Sequence, residues 1–353
     1  MHWSVLDVFP VALLVLFLIG IKPVHPFREY NDCYLSRETG LALRGVFALS
    51  VILHHLSQNV RHIGLFGRFY NSGPLVVTAF FFLSGYGLMH SYMTQPAYRQ
   101  HFLRRRLPKI LLPFVLLTTV FVGFSALNGS PYSPKSLILD FIYGIQILPY
   151  SWYILCIAAF YVLFCLLMHL CKNKYTLVIA GMFAGCVVYI AFCIYMRYGS
   201  FWYRTILVLL LGMIWALYEA KILPVMHRFY WIISPLTWLL FAALLSVLLR
   251  QTAIKNPWIS LLYNFALTSS FMISILTVTM KFRVGNPVLT FLGNNSLEIY
   301  LVQGFFITGL RSNLIYIQND FLWVLLCFFG SITIGSAVHT LNTVLFKKTV
   351  FNK

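Results

Sequence analysis

Eleven apolar runs divide this chain, with only short polar segments between them. They fall at 5–21, 40–57, 74–93, 108–128, 150–171, 176–197, 202–219, 229–249, 258–280, 292–310 and 321–346. A helix needs ~17–25 apolar residues to cross the hydrocarbon of a bilayer. In lipid every backbone N–H and C=O must be satisfied within the segment, so such runs have to be helices. The expected fold class is therefore all-α, a polytopic integral membrane helix bundle of about 11 transmembrane helices. Charged residues make up 10% of the chain, against about 25% in soluble domains. That leaves no large hydrophilic domain. The last run is long enough to tilt, or to break at Gly330 or Gly335. Residues 131–148 hold Pro131, Pro134, Lys135 and Asp140, and read as an interfacial segment.

The net charge of +18 would suit a nucleic-acid partner, but the basic residues are scattered over short loops between apolar runs. They read instead as orientation signals and contacts with anionic headgroups, with no nucleic acid bound. If the loops alternate sides, one side holds 17 Lys and Arg and the other 8, with Arg44 the remaining one of 26. The richer side is expected to be cytoplasmic, leaving the N-terminus outside and the C-terminus inside a cell (inner or plasma) membrane. The first run has no basic stretch before it and no A-x-A site after it, as in a retained anchor. The seven cysteines are an odd number without metal-ligand spacing and read as packing residues, and no metal is expected. The chain thus divides into an anchor helix and cytoplasmic linker (1–38), a membrane domain (39–346) and a short basic cytoplasmic tail (347–353).

Within the second run sits a charge that lipid penalises. Arg44 and His55 are eleven residues apart, about three helical turns, and share one face to within about 20°. His54 points about 80° away from Arg44. A charged side chain at the bilayer centre costs at least ~2.5–3.5 kcal/mol, which argues for function. Two readings of the residue types stand side by side. Arg44 holds an anion while His55 moves a proton, or Arg44 snorkels to the interface and His55 bonds a neighbouring helix.

Further on, the order of motifs becomes informative. Phe80-Phe81-Phe82-Leu83-Ser84-Gly85-Tyr86-Gly87 lies in the third run. A basic turn, Arg104-Arg105-Arg106-Leu107-Pro108-Lys109, follows and is expected just before a helix. Next come Ser151-Trp152-Tyr153-Ile154 and the stretch from Leu292 to Gln303, which contains Glu298. In this order the marks resemble the membrane-bound acyltransferase family 3. The resemblance implies ten core helices, so the run at 5–21 is an addition. It implies transfer of an acyl group, commonly acetyl, from acyl-CoA to a hydroxyl of a surface or lipid-linked carbohydrate. Acyl-CoA would be a co-substrate, with no bound cofactor, and the partners would be a carbohydrate or glycolipid acceptor and membrane lipids.

It also implies roles. Arg44 and His55 would be the critical pair, His55 as general base towards the acceptor hydroxyl and Arg44 fixing the donor. Arg104, Arg105, Arg106 and Lys109 would meet the donor's phosphates, helped by free N–H groups at a helix start. Ser84, Tyr86, Trp152 and Tyr153 are candidate substrate contacts. The glycines near Ser84 also suit close helix packing, and Trp152 and Tyr153 also suit an interfacial aromatic belt. Glu298, the one acid deep in an apolar run, joins the catalytic candidates, orienting His55, pairing with Arg44 or staying protonated. Two departures stand out: Gln303 occupies a position often held by His in relatives, and Lys109 one often held by Arg, with loss of bidentate geometry. No P-loop, H-E-x-x-H or Gly-x-Ser-x-Gly motif is present. The rival reading is a proton-coupled carrier or exporter of a small organic anion that uses Arg44 and His55.

Overall fold

The structure, a computed structural model, describes residues 4–24, 26, 29–60, 64–95, 98–249, 254 and 256–351, the last six by backbone alone. Arg28, Arg61, Arg250, Lys255 and Lys353, which enter the charge count above, lie outside the described residues, as do the side chains of Lys347 and Lys348.

Helices fill every expected run. They are α1 (Val8–Ile19), α2 (Arg37–Ser57), α3 (Gly73–Thr94), α4 (Tyr98–Leu127), α5 (Pro134–Ile142), α6 (Trp152–Cys171), α7 (Tyr175–Tyr195), α8 (Leu207–Arg228), α9 (Tyr230–Leu249), α10 (Pro257–Lys281), α11 (Pro287–Asn294), α12 (Ser296–Gly309) and α13 (Asp320–Phe351). Starts follow local chemistry. Ser36 Oγ accepts from the Thr39 N–H at 3.3 Å and opens α2. Asn256 and Asn286 cap α10 and α11, each followed by a proline at the first helical position. The amphipathic stretch at 131–148 holds the nine-residue α5, which buries no residue.

Nine helices are long and apolar enough to cross a membrane among the described residues, and three details differ from the sequence reading. The run at 292–310 is two helices, because Asn295 (φ −95°, ψ 3°) leaves helical geometry between α11 and α12. The break lets α11 lie against α2, where a side chain at Gly293 would strike the Leu41 carbonyl. The last helix, in contrast, runs unbroken through Gly330 and Gly335. A Cβ at Gly335 would come within 2.7 Å of the Ile299 backbone, so this glycine serves close packing of α13 on α12. Finally, α4 starts at Tyr98, so Arg104 to Lys109 sit inside a helix and not before one. The free N–H groups expected beside them are absent there, and Pro108 lies mid-helix.

Loops gather alternately at two ends of the bundle. At one end a short antiparallel pair joins β1 (Ile21–Pro23) to β2 (Phe282–Val284). The segment after β1 is laced to α10: the Asn31 N–H donates to the Met280 carbonyl at 2.9 Å, and Lys281 Nζ to the Glu29 carbonyl at 2.9 Å. The Tyr30 ring stacks on His227 at the end of α8, centroids 3.8 Å apart. At the other end Asp7 accepts from the Phe66 N–H at 2.8 Å, Arg311 donates to the Asn59 carbonyl at 2.9 Å, and Asn128 accepts from the Asn313 N–H at 2.9 Å. The first end is the Lys/Arg-rich one of the charge count.

Candidate active site

The face shared by Arg44 and His55 looks onto one segment, residues 150–161. Arg44 is half-buried and lies within electrostatic reach of Tyr153 and Tyr161 of α6 and Arg106 of α4. Three turns on, the His55 ring lies against Tyr150 with centroids 3.9 Å apart. Its Nδ1 is buried and meets no hydrogen-bond partner. His54, by contrast, is used structurally, with Nδ1 against the Phe69 carbonyl at 2.8 Å.

Hydroxyl groups fill the interval between the two. Tyr153 faces Ser84 of α3 at 3.5 Å between hydroxyl oxygens, and its ring lies 6.2 Å from that of Tyr300. The Tyr300 hydroxyl donates to the Tyr150 carbonyl. Arg44 is thus linked to His55 through Tyr153, Tyr300 and Tyr150, with Ser84 beside Tyr153. Trp152 packs instead into the apolar cluster with Phe81 and Trp202 and is buried.

Cations collect at the Lys/Arg-rich end. Lys109 stands within electrostatic reach of Arg106, Arg37 and Arg105. Arg104 and Arg105 are exposed, while Arg106 is half-buried beside Tyr98 and Tyr161. Glu298 lies nearby and Glu38 follows Arg37, but cations outnumber acids, and the grouping is suited to a multiply charged anion.

Glu298 has its partners on α13. Glu298 is 2% exposed, accepts from Asn342 Nδ2 at 2.8 Å and pairs with His339 Nδ1 at 3.1 Å. Asn342 also donates to the Lys109 carbonyl at 3.3 Å. Among the described residues no hydrogen bond joins Glu298 to Arg44 or His55. Its place is at the cation-rich end, tying α12 to α13 and α4.

Tyr86 answers to a residue missed in the sequence. Its hydroxyl donates to Glu219 of α8 at 3.0 Å, as does that of Tyr34 from the linker, which in turn accepts from Trp215 Nε1 at 2.8 Å. Burial and Glu219 together raise the Tyr34 phenol above its usual range. Glu219 had a legible signal, a lone acid beside an apolar run. Tyr150 had none, since its place depends on a positive φ of 66° in the turn before α6.

The bundle and this site together define an integral membrane protein with a cation-rich end and a histidine held apart from it. The family model described as an acyltransferase domain, acyltransferase family 3, matches residues 42–340. The chain therefore belongs to that family and is a multi-pass membrane acyltransferase. No curated protein and no solved structure matches it.

Proposed function

We propose that the chain moves an acyl group, acetyl in the first instance, from acyl-CoA to a hydroxyl of a surface or lipid-linked carbohydrate. The row of hydroxyl-bearing side chains between Arg44 and His55 is the observation that supports it most. Eleven residues of helix span about 16 Å, a distance an extended pantetheine arm can bridge. Donor phosphates held by Arg105, Arg106 and Lys109, with Arg44 next in line, would leave the thioester near His55 at the opposite end. His55 would take the proton of the acceptor hydroxyl as its oxygen attacks the thioester carbonyl. Ser84 and Tyr153 lie along that line and would contact the arm. Glu298 would act on the donor end, through Lys109 and His339. The 17 to 8 charge asymmetry supports a cytoplasmic donor end, and hence acceptor entry from the membrane or the outer face. The carrier alternative finds no support.

The test is transfer from radiolabelled acetyl-CoA by the purified protein in nanodiscs, with His55→Ala and Arg44→Ala beside it. Wild-type release of label, lost by at least ~10² in His55→Ala, is expected. Full activity in His55→Ala at normal protein levels would remove the base assignment.

A further inference from the structure

Gln303 is completely buried, yet neither its amide nitrogen nor its amide oxygen has a hydrogen-bond partner. Turning the amide over changes nothing, since both ends are unmet. A buried amide of this kind costs stability, and its retention calls for an explanation, such as a catalytic role or a bound group that satisfies it.

Its position says where that ligand would lie. Ile299 and Ile307, four residues to either side and so on the same face of α12, pack in one cluster with Ile52, Leu53 and Leu56 of α2. His55 falls between them in sequence but is turned about 60–160° from them around α2, towards Tyr150. Three residues before Gln303, Tyr300 holds the carbonyl of Tyr150, whose ring rests on His55. Immediately after it, Gly304 abuts the Pro149 carbonyl so closely that a Cβ has no room. Gln303 therefore shares the His55 seam, where a second buried group, the His55 Nδ1, is also unmet.

Resting on the acyltransferase reading, we propose that Gln303 is a second catalytic residue, donating from its amide to the thioester carbonyl oxygen across from His55. In this step the acceptor oxygen bonds to the carbonyl carbon and its proton passes to the His55 imidazole. The carbonyl electron pair moves onto oxygen, where the amide N–H stabilises it. Collapse breaks the carbon–sulfur bond, and the leaving thiolate recovers the proton from His55. The ester and free coenzyme A thiol result, with no other reactant.

The experiment compares wild type, Gln303→Met and Gln303→His in nanodiscs, reading kcat, KM for acetyl-CoA and Tm. Methionine fills the space without polar atoms. It should lower kcat by ~10²-fold, leave KM within about threefold, and hold or raise Tm because an unmet amide is gone. Histidine, which restores a donor, should recover at least ~10-fold of that loss. A Gln303→Met protein with wild-type kcat overturns the role. A fall in its Tm overturns it too, since the amide would then have structural partners. Absence of wild-type turnover with any acyl-CoA would instead remove the acyltransferase reading, and this role with it.

Discussion

His55 and Tyr150 lie ring against ring, 3.9 Å between centroids, although they come from the end of α2 and the turn before α6. Tyr150 reaches this position with φ at 66°, a left-handed conformation that costs an L-residue ~1–2 kcal/mol. Strain of that size persists where the surroundings over-determine the conformation, and here the Tyr300 hydroxyl holds the Tyr150 carbonyl. Tyr150→Ala should therefore lower acyl transfer by ~10–100-fold through misplacement of His55. Tyr150→Phe, which keeps the ring, should stay within about threefold of wild type. Equal rates for the Ala variant and wild type would show that the stacking does not position His55.

The pairing of Glu298 with His339 and Asn342 gives a second expectation. Glu298→Ala leaves the buried Asn342 amide with only its longer bond to the Lys109 carbonyl and should cost ~1–3 kcal/mol of stability. Glu298→Gln keeps an acceptor and should cost less. Thermal unfolding in nanodiscs checks the order, and an Ala variant as stable as wild type contradicts it.

Gly85 and Gly87 sit two residues apart in α3 and should respond differently. A Cβ at Gly85 would overlap the Leu209 carbonyl of α8, and one at Gly212 would overlap the Phe82 carbonyl of α3. Backbone on both sides leaves nothing flexible to give way. Gly85→Ala and Gly212→Ala should each destabilise by ~1–3 kcal/mol or more. Gly87 has open space around its missing Cβ, and Gly87→Ala should be neutral. Detergent-resistance or Tm measurements on the three variants decide it.

Glu219 joins the linker to the bundle through Tyr34 and Tyr86. A double-mutant cycle of Glu219→Gln and Tyr34→Phe should give a coupling of ~0.5–3 kcal/mol. The Tyr34 phenol is raised in the fold, so its contribution is fully present below the ordinary phenol value. It is lost as pH climbs from about 10 upwards. Tyr34→Phe should flatten that part of the stability profile, and an unaltered alkaline limb would refute the linkage.

Much of the bundle was legible because lipid allows few alternatives. All eleven apolar runs are helical, with ends mostly within a few residues of the expected ones. The helix α8 runs nine residues past its expected end, to Arg228, and two other exceptions have physical causes. Basic residues and a proline suggested a boundary before Pro108, but α4 extends back to Tyr98 because polar residues are tolerated in a helix that leaves the hydrocarbon. The break at Asn295 answers to packing of α11 on α2, which no local pattern records. The site was half legible. Helical period brought Arg44 and His55 onto one face. Glu298, by contrast, finds its partners forty residues and more further along, on α13. Gln303 and Tyr150 depend on contacts between segments whose proximity only the folded chain reveals.

The lacing of Asn31 and Glu29 to the end of α10 spans about 250 positions of sequence. During synthesis the linker is made early, and the backbone carbonyls and lysine that hold it are made late. The Lys/Arg-rich end can therefore be completed only after nine apolar runs have entered the membrane. Until then the linker has only its contacts with α8, so a chain stalled before α10 should display a looser, protease-sensitive linker.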